Sequence, residues 1–285
     1  MMSARWQSVW ALYAAFLPLF AVGAWAAEPS LAPCSGWLKR EFAQPPTKMV
    51  KVKVLLAGDS LMEDLGPQMR RALRGYPSIT FVPIGKKSTG LSRSDYYDWP
   101  SSLKKYLKSE KPEVVVMWVG TNDPQNIYGK TGLGRVGSEA WQEAYREKVR
   151  EVLLPVVNAK ARMILMGPPV VGDPKVNSQL AVISRIMKEE CARYRKCGVT
   201  YVDMRLILGD AQGRYHATGK IPLTGKVAPL RTSDRVHITT AGNNLVMDYL
   251  LPYIGREIAL HFGYLYDPSR RSSSSAVRIV PNRKR

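Results

Sequence analysis

Ser60 stands in Gly58-Asp59-Ser60-Leu61, directly after the apolar run Val52-Lys53-Val54-Leu55-Leu56-Ala57. A serine hydroxyl becomes a nucleophile when a neighbouring base takes its proton, and a strand-to-helix junction carries such a hydroxyl beyond a sheet edge. Ser60 also begins S-x-x-E with Glu63, the spacing of a helix capping box, so on this stretch alone it is either cap or catalyst. The base is supplied further along, where Asp234 and His237 lie three residues apart in Ser233-Asp234-Arg235-Val236-His237. His237 can accept the serine proton, and Asp234 can fix its tautomer and stabilise the imidazolium. The tetrahedral intermediate then needs donors aimed at its oxyanion. Asn122, in Gly120-Thr121-Asn122-Asp123, offers an amide N–H, and Gly85 or Gly90 in the loop 85–100 allows close approach of a backbone N–H. The chemistry these residue types support is acyl transfer through a serine.

The elements that must position them alternate regularly. Apolar runs at 52–58, 79–85, 113–120, 161–167 and 199–204 are separated by amphipathic stretches at 60–74, 99–109, 139–158 and 175–196. Strands apolar on both faces and separated by helices imply a parallel sheet between two helical layers. The expectation is a three-layer α/β/α sandwich with a five-stranded, doubly wound, flavodoxin-like sheet. An irregular stretch over 205–236 leads to a last helix at 239–261. In such folds ligands bind beyond the C-terminal ends of the strands, where Ser60, the 85–100 loop and Asn122 all fall.

Gly58-Asp59-Ser60-Leu61, Gly120-Thr121-Asn122-Asp123 and Asp234-Arg235-Val236-His237, in that order over about 185 residues with a loop glycine between the first two, resemble the SGNH or GDSL esterases and lipases. The stretches Ser88 to Pro100, Asp210 to Lys220 and Leu230 to His237 look like an exported bacterial subgroup of that family, the DUF459 type. The resemblance implies Ser60 as nucleophile with its own N–H in the oxyanion hole, Gly90 rather than Gly85 as the second backbone donor, and Asn122 as the side-chain donor. It implies Asp234 and His237 as the other two members of a triad, and no cofactor. Where the family often has glycine after the aspartate, this chain has Arg235, a cation beside the base that bears on substrate choice.

The 285 residues and a 45% hydrophobic fraction suffice for one α/β domain, expected over 51–265. Lysine and arginine number 42 against 23 acidic residues, a formal charge of +19, which favours an anionic polysaccharide or membrane surface as partner. No zinc-knuckle, RNP or helix-turn-helix pattern accompanies the charge, so nucleic acid is not expected. Three dispersed histidines and no cysteine cluster argue against a metal site. Arg5, the apolar run Val9 to Ala27 and Ala24-Trp25-Ala26 read as a signal peptide over 1–26, with an uncleaved membrane anchor as the alternative. A linker or strap follows at 27–50, and a basic, serine-rich tail at 266–285. Cys191 and Cys197 are a candidate disulfide if the helix breaks between them, leaving Cys34 over. Trp99, with Tyr96 and Tyr97, offers an aromatic face to a sugar ring or to the core.

The combined expectation is a periplasmic or secreted serine esterase for small acyl, above all acetyl, esters of a small molecule or glycan. An O-acyltransferase would use the same residues with a sugar hydroxyl in place of water. A silent carbohydrate-binding protein would keep the fold without the chemistry.

Overall fold

The structure, a computed structural model, describes residues 51–262 apart from 75, 130, 131, 211 and 222–224. The expected signal, strap, Cys34 and tail lie outside the described residues. In chain order the elements begin with β1 (Val52–Gly58), α1 (Ser60–Leu73), β2 (Ile79–Gly85), α2 (Trp99–Glu110) and β3 (Val114–Trp118). A small hairpin, β4 (Ile127–Gly129) and β5 (Gly132–Gly134), precedes α3 (Glu139–Asn158), β6 (Arg162–Met166), α4 (Pro174–Arg193) and β7 (Val199–Val202). A short α5 (Met204–Leu208), a second hairpin, β8 (Thr218–Lys220) and β9 (Val227–Pro229), and the long α6 (Thr240–His261) complete the series.

The main sheet has the order β2-β1-β3-β6-β7 and all its pairings are parallel. This is the expected doubly wound sandwich. Successive strand residues point to opposite faces, and the core divides accordingly. Leu55, Ala57, Val115, Met117, Met163 and Leu165 pack beneath α2, α3 and α4. Val54, Leu56, Val114, Val116, Ile164 and Met166 pack beneath α1, α5 and α6. β3 is buried at every residue, as a central strand covered on both faces must be. β2 is half-exposed and contains Pro83, which an edge strand tolerates because its missing N–H costs no ladder bond there.

Chain order reverses at β1, whose neighbours β2 and β3 lead to opposite sides of the sheet. The crevice of such a sheet opens at that switch point. Gly58 ends β1 against β3, where a Cβ would stand 2.2 Å from the Trp118 carbonyl oxygen. Only glycine permits that approach, and it sets the entry into α1.

Two local expectations are corrected, and one element was not anticipated. The stretch 205–236 is not wholly irregular, since it contains α5 and the β8–β9 hairpin. The first hairpin, at Ile127 to Gly134, has strands of three residues, too short to show an apolar period. The Cys191–Cys197 bridge does not form. Cys191 is a free, buried thiol, raised above its ordinary pKa by burial, whereas Cys197 is disulfide-bonded. Helix α4 runs through Cys191 to Arg193 and is followed by a 3₁₀ turn at Arg195–Cys197. The helix does break between the two cysteines, but the Cys197 sulfur is engaged in a different disulfide and the Cys191 thiol stays in the core.

Candidate active site

Ser60 is the first residue of α1, and the cap is its neighbour. Asp59 has extended backbone, and its Oδ1 accepts from the Leu61 N–H at 3.0 Å. The reading of Ser60 as a capping-box serine is therefore replaced. An Oγ at the first helical position also lies in the positive end of the helix dipole. Asp59 is itself tied to β3, donating its N–H to the Trp118 carbonyl at 3.1 Å, so the serine is mounted on two strands at once.

Ser60 Oγ is 2.9 Å from His237 Nε2, across 177 residues of sequence. His237 Nδ1 is 2.6 Å from Asp234 Oδ2. With the carboxylate accepting at Nδ1, the proton belongs on Nδ1 and Nε2 is left to accept from the serine. The loop that makes this pair is tightly closed. Asp234 Oδ1 accepts from Thr232 Oγ1 at 2.6 Å, the Val236 N–H at 2.9 Å and the His237 N–H at 3.0 Å. Burial pushes the Asp234 carboxyl up, but the hydrogen bonds from Thr232, Val236 and His237 outweigh it and hold the group well below the usual carboxylate range. Arg231, buried beneath, donates to the Val236 carbonyl at 3.0 Å and the Val170 carbonyl at 2.6 Å. Thr232 and Arg231 were not singled out in the sequence. Thr232 carries a usable signal, a hydroxyl two residues before an aspartate.

The loops after β2 and β3 are bound to each other. Asn122 Nδ2 donates to the Thr89 carbonyl at 2.9 Å, which occupies one of its two N–H bonds and leaves the other for a ligand. Asp123 accepts from the Ser92 N–H at 2.8 Å and the Tyr145 hydroxyl at 2.7 Å, while Ser92 Oγ donates to the Asp123 carbonyl at 3.0 Å. Gly90 sits against this carboxylate, where a Cβ would lie 2.1 Å from Asp123 Oδ1. The competing Gly85 instead abuts the Glu63 side chain of α1, with a Cβ at 2.2 Å from Glu63 Cγ. The glycine joined to the Asn122 loop is thus Gly90. Tyr145 lies in the buried stripe of α3, and nothing in its local sequence betrays that its hydroxyl reaches Asp123.

Trp99 is fully buried and does not face a ligand. Its indole N–H donates to Thr89 Oγ1 at 3.1 Å, and its ring meets Tyr97 edge-on at 4.8 Å. Of the two readings of Trp99, core packing holds and substrate contact does not. It braces the Thr89 backbone to which Asn122 is bonded. Arg235, by contrast, is exposed beside the histidine, with its guanidinium on the Gly172 carbonyl at 2.7 Å.

Asp59 and Asp123 are both buried under the serine and the glycine loop. Burial raises both carboxyls, Asp59 to about 8 despite the Leu61 N–H, with Asp123 adding to the rise. A protonated Asp59 puts no negative charge beneath a developing oxyanion. Among the described residues no group of three His, Cys, Asp or Glu side chains is arranged to hold a metal ion.

A sequence profile of the family described as "Protein of unknown function (DUF459)" matches residues 53–253. No curated protein matches the chain. Among solved structures, the fold is similar to a catalytic mutant of an acetylxylan esterase from Geobacillus stearothermophilus, at 15% identity and a TM-score of 0.53 over 73% of this chain and 97% of that one. A mutant of an acetyl-xylooligosaccharide esterase from Geobacillus has 18% identity and a TM-score of 0.51, with the same coverage. An acetyl esterase mutant with acetate ion has 14% identity and a TM-score of 0.50 over 73% of this chain and 98% of that one. The profile spans the sheet and the motifs at its strand ends, and the chain belongs to the DUF459 family.

Proposed function

We propose that this protein is an exported serine esterase that removes small acyl groups, acetyl first among them, from a glycan of the cell envelope or its surroundings. The observation that carries this reading is the continuous chain from Ser60 Oγ through His237 to Asp234, at 2.9 and 2.6 Å. Ser60 Oγ attacks the ester carbonyl carbon as its proton passes to His237 Nε2. The N–H groups of Ser60 and Gly90 and the free Asn122 N–H bond stabilise the oxyanion. The carbon–oxygen bond to the alcohol then breaks, and His237 returns the proton to the departing alcohol oxygen. Water, deprotonated in turn by His237, attacks the acyl-Ser60 carbonyl, and the acid leaves as Ser60 regains its proton. Asp234 stays ionised throughout and stabilises the imidazolium.

The acetyl preference is supported by the activities named for the three structures of similar fold. Export is supported by the signal pattern from Arg5 to Ala26, and an anionic setting by the charge of +19. Arg270, Arg271, Arg278, Arg283, Lys284 and Arg285, with no acidic residue among 270–285, supply a further hold on a polyanion. The test is hydrolysis of 4-nitrophenyl acetate by purified wild type, Ser60→Ala and His237→Ala. Each substitution is expected to lower kcat by about 1,000-fold or more. Near-wild-type turnover by a folded Ser60→Ala protein would remove Ser60 from the reaction.

A further inference from the structure

Arg235 lies between Asp234 and His237 in a backbone conformation that side chains avoid, with φ at +63°. Glycine would be free of that strain, which the arginine bears. The side chain is held on two sides. One N–H of its guanidinium donates to the Gly172 carbonyl at 2.7 Å, and the cation lies over the Tyr215 ring at 5.3 Å. Backbone bonds fix its base as well, since the Arg235 N–H donates to the Thr232 carbonyl and its carbonyl accepts from the Gly172 N–H, both at 3.0 Å. Gly172 in turn leaves room for the arm, because a Cβ there would lie 2.2 Å from Arg235 Nε.

The charge is nevertheless unspent. Arg235 forms no ion pair among the described residues, although it is exposed. Neighbouring acids are committed elsewhere. Asp234 is filled by Thr232, Val236 and His237, Asp173 caps α4 through the Val176 N–H, and Asp210 is bound to Arg214. The nearby Arg231 cation is buried and spent on two carbonyls. An immobilised guanidinium retains donors in a fixed fork suited to a carboxylate, and little side-chain entropy remains to be lost when one binds.

Position sets which part of the substrate that carboxylate belongs to. His237 must return its proton to the alcohol oxygen, so the alcohol portion leaves on the His237 side, and Arg235 is two residues from His237. We propose that Arg235 is a specificity residue that binds a carboxylate on the alcohol portion of the ester, making the substrate an acylated acidic sugar such as a uronate. This rests on the esterase reading for the direction of the ester, but the recognition of the anion is separable from the chemistry.

The test uses O-acetylated oligogalacturonate as the anionic probe and O-acetylated xylo-oligosaccharide as the neutral one. Arg235→Gly suits the backbone, and Arg235→Lys restores the charge without the fork. The ratio of kcat/KM on the anionic to the neutral ester is expected to fall about tenfold in Arg235→Gly and to recover in part in Arg235→Lys, with a smaller ratio at high salt. In parallel, calorimetric titration of non-acetylated oligogalacturonate into Ser60→Ala and Ser60→Ala/Arg235→Gly reads binding without turnover, and the second protein is expected to bind about tenfold more weakly. Equal binding by the two proteins, or an unchanged selectivity ratio in an active Arg235→Gly enzyme, overturns the proposal. Arg235-dependent binding by a protein that hydrolyses neither ester would leave the anion site standing and refute the esterase reading instead.

Discussion

Asp59 and Asp234 are carboxylates beside the same reaction centre, driven in opposite directions. Burial raises Asp59 to about 8, while hydrogen bonds from Thr232, Val236 and His237 overcome burial at Asp234 and depress it. Between pH about 4 and about 8 the folded protein therefore keeps a proton on Asp59 that the unfolded chain has lost. Its contribution to stability falls by about 1.4 kcal/mol for each unit by which pH rises within that window. Asp234 has the reverse sign: its contribution is present above the unfolded value and is lost as pH falls below it. Asp59→Asn keeps an acceptor for the Leu61 N–H and abolishes the titration. Urea unfolding measured from pH 4 to 8 is expected to show a flatter slope for Asp59→Asn than for wild type, and an unchanged slope would contradict the assignment. Asn122 belongs at the same scale. Asn122→Ala is expected to lower kcat on an acetyl ester by about 100-fold with a smaller change in KM; an effect confined to KM would make it a substrate-binding residue.

At the scale of elements, the loops after β2 and β3 act as one unit because Asn122 holds the Thr89 carbonyl and Asp123 is bonded to both the N–H and the hydroxyl of Ser92. The two glycines of the first loop should then respond differently to a methyl group. At Gly90 it meets a buried carboxylate fixed by several bonds, whereas at Gly85 it meets Glu63, a side chain of α1 that is partly exposed. Gly90→Ala is expected to cost about 100-fold in kcat, and Gly85→Ala less than about tenfold. Comparable losses in both would remove the distinction. Much of this was legible beforehand. The strands and long helices declared themselves through apolar period, and residues 79–85 and 139–158 match the observed elements in full. What escaped was set by tertiary contact rather than local pattern. The capping role passed from Ser60 to Asp59 because the chain enters α1 one residue earlier, and Trp99 turned inward because its indole N–H finds Thr89. Tyr145 reads as an ordinary core position until its hydroxyl is seen on Asp123.

For the molecule as a whole, the parallel sheet gathers residues separated by 177 positions at one edge, and the net charge of +19 surrounds them with a field that attracts anions. Deleting 270–285 removes six of the basic residues. It is expected to leave turnover of 4-nitrophenyl acetate unchanged while weakening sedimentation with an anionic polysaccharide at low salt, a difference that should vanish near 1 M salt, where the Debye length is about 3 Å. Equal, salt-independent sedimentation of both forms would count against a role for the tail. The central claim, that Ser60 is an activated nucleophile, is tested most directly by intact-protein mass spectrometry after treatment with a fluorophosphonate. A single adduct located to Ser60, absent from Ser60→Ala and strongly slowed in His237→Ala, is the predicted result. Failure of the folded wild type to react, or an adduct at another residue, would contradict it.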